Sequence, residues 1–218
     1  MLEKNKIKKR IKPMNKSITF WSGIIGVTLF TVASIIGGFQ FDHYNPLSQY
    51  ISETYAIGTP YGEALRYFGY IPSGIFLAVF AFSAPRIFPT SSFIKTGFWG
   101  IGIFYGIATV VVGIFPCDKG CNKEWVDPSI SQLIHNFTGL LTYLFVPLSL
   151  LAIGFGLRQL KTLHRLSTIA LACGLNCMLF IGILLSDPLS DYVGLYQRII
   201  EGTFILWIIV CSWHCKNS

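Results

Sequence analysis

Charge is what this sequence has least of. Only 12% of its 218 residues are Asp, Glu, Lys or Arg, against 52% hydrophobic types and a mean hydropathy of +0.57. A soluble domain is about one quarter charged. The shortfall therefore excludes an ordinary soluble globular protein, and the low polarity excludes a disordered chain. Histidine is scarce as well. There are four, and no two lie in the interior of an apolar stretch, which removes paired axial ligands for haem. The chain has no phosphate loop, Walker motif, Rossmann glycine set or H-E-x-x-H zinc motif. Its six cysteines are too dispersed for a small disulfide scaffold. No cofactor and no metal centre is expected.

What is present is a series of uncharged stretches, 17–41, 67–85, 96–117, 128–157 and 166–186. Each is close to the ~20 residues that cross a bilayer core as a helix. A sixth, 202–215, becomes a full span if it starts near Leu195 and takes Arg198 and Glu201 into its first turns. A spanning segment in lipid must satisfy its own backbone, so helix overrides the strand preference of the many Ile, Val and Phe residues. The expected fold is all-α: a polytopic membrane bundle of six transmembrane helices. The expected organisation is a basic tail at 1–17, one transmembrane domain at 18–215 and a short end at 216–218. The first apolar stretch is too long for a cleaved signal peptide, and no small-x-small site follows it, so it reads as a retained anchor.

The charges set the orientation. Thirteen of the 17 basic residues fall on the side of the termini: Lys4, Lys6, Lys8, Lys9, Arg10, Lys12 and Lys16 in the tail, then Arg86, Lys95, Arg158, Lys161, Arg165 and Lys216. All the acidic residues except Glu3 fall on or near the other face. By the positive-inside rule both termini are cytoplasmic. The net charge of +7 is then a topology signal with an attraction to anionic lipid, and nucleic acid is not an expected partner.

The odd spans end alike, in Gly37 to Asp42, Gly113 to Asp118 and Gly182 to Asp187, each Gly-x-apolar-x-x-Asp. The even spans begin alike, with Arg66 before Gly69, His135 before Gly139 and Arg198 before Gly202. Either three helical hairpins repeat, or the span ends converge on one interfacial pattern. Ionisable groups at such depths are costly unless paired or wet, which makes them candidates for function. Arg198 and Glu201 are i,i+3 neighbours on one helical face and form a candidate pair.

The longer connections all lie on the outer side. The first, Asp42 to Tyr55, is dense in hydrogen-bonding groups and aromatics, and either lies along the bilayer surface or folds back as a lid. The second contains Cys117 and Cys121 around Gly120, a candidate small disulfide on an oxidising face. The remaining pairs, Cys173/Cys177 and Cys211/Cys215, share helical faces in the cytoplasmic halves and read as packing residues. Gly102 and Gly106 read as a close helix contact, and Pro72 and Pro147 as kinks.

Tyr44 to Glu53, the run Phe115-Pro116-Cys117-Asp118-x-Gly120-Cys121, His135, and Gly194 to Arg198 together resemble a mostly prokaryotic six-span membrane family catalogued as domain of unknown function 998. The resemblance covers nearly all the chain after the tail. It maps the family's motif residues onto Pro46, Ile51, Ser52, Pro116, Asp118, His135 and Arg198, and implies an integral membrane protein of the bacterial inner (plasma) membrane. The chain departs from the family pattern at Glu53-Thr54-Tyr55, where the usual glycine is displaced to Gly58. Residues 50–54 also look like one loop of the damage-regulated autophagy modulators.

Three functions fit these residues. One is binding or transport of a lipid or small molecule through a polar outer-leaflet pocket, with Ser52, Glu53, Arg66, Asp118, His135, Arg198 and Glu201 as candidate ligand-binding residues. The second is an intramembrane hydrolase using Ser52, Asp118 and His135. The third is a structural or assembly protein in which the polar residues are helix pairs and loop anchors. Membrane lipids are the expected partners in each.

Overall fold

The computed structural model describes residues 16–218. The tail cations Lys4 to Lys12 lie outside the described residues. Six helices are long and apolar enough to cross a membrane: α1 Lys16–Gly38, α2 Gly62–Arg86, α3 Ser92–Ile114, α4 Ile130–Arg158, α5 Lys161–Ser186 and α6 Val193–Asn217. The sixth starts at Val193, so Arg198 and Glu201 do lie within it. No strand occurs among the described residues.

Consecutive helices pack side by side, and α6 closes on α1, so the bundle is a ring. Lys16 donates to the Ser218 carbonyl, which puts the two ends of the described chain at one end of the ring, here the tail end. The opposite end, the loop end, carries the connections 39–61, 115–129 and 187–192.

Between helices in lipid there is little hydrophobic drive, so close packing and polar contacts hold them. The sequence supplies both. Ser73 donates to the Gly26 carbonyl at 2.8 Å between α2 and α1, and Ser167 to the Gly154 carbonyl at 2.7 Å between α5 and α4. Asn176 donates to Thr203 at 2.9 Å between α5 and α6. Gly106 lies so close to α2 that an added Cβ would sit 2.6 Å from the Ala78 nitrogen. The Gly102/Gly106 pair is thus a close helix contact.

Two helices are interrupted by π-turns, at Arg66–Tyr70 in α2 and Gly102–Ile107 in α3. The first ends just before Pro72. Proline lacks an N–H and its ring collides with the carbonyl four residues back, and one wide turn there relieves that conflict. The π-turns carry Tyr70 and Tyr105, both buried and both turned inward.

The tail half of the ring is filled. Phe80, Phe98, Ile153, Leu157 and Trp207 are fully buried there, with Cys211 and Cys215 among them. Cys173 and Cys177 are also buried, and all four thiols are free. The loop half is not filled, and that asymmetry positions the site.

Candidate functional site and family

The first loop folds inward as a lid. Ile51–Tyr55 forms a 3-10 turn in which all five residues are buried. The segment Gly194 to Arg198 at the start of α6 holds it. Leu195 N–H, one of the first-turn donors without a helical acceptor, donates to the Leu47 carbonyl at 2.9 Å. Gln197 accepts from Ile51 N–H at 2.6 Å. Arg198 donates to the carbonyls of Pro46 at 2.6 Å and Gln49 at 2.8 Å, and also to the Tyr44 hydroxyl. Gly194 permits the approach, since an added Cβ would lie 2.6 Å from the Pro46 carbonyl oxygen. Burial raises the Tyr44 phenol above its ordinary value, with Arg198 opposing it.

The second loop is tied to α4 in the same manner. Ser129 caps the helix, its hydroxyl accepting from Gln132 N–H at 3.1 Å and donating to the Asp118 carboxylate at 2.6 Å. Ser129 N–H donates to the other Asp118 oxygen at 3.0 Å. These Ser129 bonds hold the Asp118 carboxyl below the usual aspartate range. Gln132, fully buried, accepts from Asp118 N–H at 2.7 Å and donates to the Cys121 carbonyl at 3.1 Å. Cys117 and Cys121 form a disulfide. Gly120 has φ 66°, the left-handed conformation that glycine adopts without penalty, and Cys121 follows at φ 55°.

The two loops lock together. Glu53 pairs with Lys123 at 2.8 Å and accepts from Tyr50 N–H at 2.8 Å. Lys123 sits over the Tyr50 ring, 5.0 Å from its centre. The Ser52 hydroxyl lies 3.2 Å from Cys121 Sγ. A disulfide sulfur carries no hydrogen, so the hydroxyl donates.

Below this double lid is a cavity of about 660 Å³, within the range of small-molecule sites. Five of the ten tyrosines line it: Tyr50, Tyr55, Tyr70, Tyr105 and Tyr143. Ser52, Lys123, His135, Asn136, Gln197 and Glu201 are among its other polar residues. His135 Nδ1 is 3.1 Å from the Phe115 carbonyl, which only accepts, so Nδ1 carries the hydrogen and Nε2 is the acceptor of the neutral ring. Tyr105 donates to one Glu201 oxygen at 3.0 Å and Tyr143 to the other at 3.4 Å. Burial raises the Tyr55 phenol well above its ordinary value, which keeps this wall residue protonated.

The cavity opens sideways. Leu133, Phe137 and Leu140 of α4 and Leu185 of α5 line it and are also exposed on the outside of the ring. Toward the tail end α4 and α5 close up, with Gly154 against Leu171 and Gly174 against Leu151. A second groove of about 610 Å³ lies between α1 and α6, lined by Tyr44, Arg198 and Gly202 among others. Phe30, Ile51 and Glu201 border both spaces.

The residues singled out from sequence thus separate. Ser52, His135 and Glu201 reach the cavity, and Arg198 reaches only the groove. Glu53 and Asp118 belong to the lid. Arg66 lines neither space; its Nε donates to the Gly62 carbonyl at 3.3 Å. The three expected cations do not converge, and Arg198 and Glu201 do not pair despite their spacing. Nor is a Ser52–His135–Asp118 relay assembled, because each side chain bonds elsewhere. Sequence reasoning missed Gln132, Tyr105 and Tyr143. Their signal was polarity inside apolar runs, where a tyrosine hydroxyl requires a partner.

Six apolar helices closed into a ring, with a polar space capped by tied loops, define an integral multi-pass membrane protein. The chain belongs to the family described as a protein of unknown function (DUF998), which matches residues 24–214. No curated protein and no solved structure matches it.

Proposed function

We propose that this protein binds a lipid or a lipid-like small molecule in the cavity beneath the lid, admitting it from the bilayer between α4 and α5. The observation that carries this reading is the cavity's composition: an apolar side mouth leading to a wall of tyrosines and Glu201. Such a gradient suits a molecule with an alkyl part and a polar head. The distribution of Lys and Arg supports placing the tail end in the cytoplasm of a bacterial plasma membrane, and a disulfide at the loop end suits an oxidising exterior.

Gly139 supplies the test. It lines the cavity, and an added Cβ would meet nothing within 4 Å. Gly139→Phe therefore starts from open space and is expected to occupy part of the cavity. Native mass spectrometry of purified wild type is expected to show a lipid-sized adduct that the variant lacks. An equal adduct on both, or none on either, contradicts the reading.

A further inference from the structure

Glu201 is the feature of the cavity that bears on the class of ligand. Glu201 is buried within α6, and both its oxygens accept phenolic hydrogens, Oε2 from Tyr105 and Oε1 from Tyr143. A phenolic hydroxyl at each oxygen is an arrangement that accommodates the ionised form of the carboxyl group. Among the described residues no cation lies within ion-pairing distance of it. The Lys and Arg side chains that line the cavity and the groove, Lys123 and Arg198, are committed elsewhere. Arg198 is spent on lid oxygens, and Lys123, the cation of the cavity wall, is neutralised by Glu53. A buried carboxylate without a counter-ion is costly in a membrane interior.

The surroundings complete a recognisable chemistry. Tyr105 and Tyr143 reach the carboxyl group by their hydroxyls, and Tyr50, Tyr55 and Tyr70 line the same cavity; the face of a tyrosine ring attracts an organic cation. The exposed leucines and Phe137 at the side mouth offer a path for an alkyl chain. Resting on the reading of the cavity as a lipid or small-molecule site, we infer that its ligand carries an organic ammonium group, which sits in the tyrosine cage against Glu201 while its chain leaves between α4 and α5. The ammonium belongs either to a phospholipid head group or to a free single-chain amine.

The test uses full-length protein in neutral maltoside micelles, with native mass spectrometry as readout. Three probes of equal chain length are compared: decyltrimethylammonium, decyl sulfate and decanol. The wild type is expected to take up one decyltrimethylammonium with at least about tenfold preference over the other two. Glu201→Gln is expected to erase that preference while decanol uptake persists. Should Glu201→Gln fail to fold, Tyr143→Phe and Tyr143→Leu replace it. The ring-retaining variant is expected to keep the preference and the leucine variant to lose most of it. Adding phosphatidylcholine separates the sources, since its displacement of the probe marks a lipid head group and its failure marks a free amine. Equal uptake of all three probes, all blocked by Gly139→Phe, overturns the ammonium inference and leaves the cavity reading standing. Uptake unaffected by Gly139→Phe overturns both.

Discussion

Ser129 shows how much one side chain carries here. Its hydroxyl caps α4 and, with its own N–H, holds Asp118, so the second loop and the helix end share one residue. Ser129→Ala is expected to cost about 0.5–2 kcal/mol from the cap alone, seen as a lowered melting temperature. The bonds to Asp118 also make a pH prediction. The folded carboxyl titrates below its ordinary value of about 3.9. Its contribution is therefore fully present above that value and is lost as pH falls through the lower folded value. The melting-temperature difference between wild type and Asp118→Asn should be constant near neutrality and shrink below about pH 4. A difference that is the same at every pH would show that the carboxylate's charge is irrelevant to the lid. At this scale the sequence was partly readable. Asp118, His135 and Arg198 stood out as charges or imidazole among apolar residues, but their partners are distant backbone carbonyls, a serine and the Tyr44 hydroxyl, which no spacing rule connects.

At the scale of elements, the lid is a loop held by the first turn of a helix. The run Gly194 to Arg198 meets the run Tyr44 to Glu53 along its length, glycine giving the approach and arginine the bonds. Arginine is needed because its fork satisfies several oxygens at once, which a lysine ammonium does with less geometric definition. Arg198→Gln and Gly194→Ala should both release the first loop, raising its cleavage by added protease at least several-fold while the six helices keep their content by circular dichroism. Cleavage unchanged in both variants would mean that the loop is held by other contacts. Both sequence runs were visible from the start, but their meeting was not, because some 150 residues of chain separate them. The choice between a surface-lying loop and a lid was likewise open, since an amphipathic segment is compatible with either; the burial of Ile51–Tyr55 decides for the lid.

At the scale of the whole molecule, the number and approximate positions of the spans were readable, because bilayer thickness imposes a length that charge-free stretches reveal, although several helices begin four or five residues earlier than those stretches. The cavity was not. It comes from ring closure, which brings Tyr105 of α3, Tyr143 of α4 and Glu201 of α6 together, and from two π-turns that a hydropathy pattern does not register. The ring is tightly packed at the tail end and hollow at the loop end, and the proposed ligand site is the cavity there. The most direct measurement of that claim is a crystal structure of the full chain grown from a lipidic phase. The account predicts elongated density running from between Leu140 and Leu185 to the hydroxyls of Tyr105 and Tyr143 beside Glu201. A cavity containing only ordered water, or one closed by inward-turned side chains with no bound molecule, would contradict it.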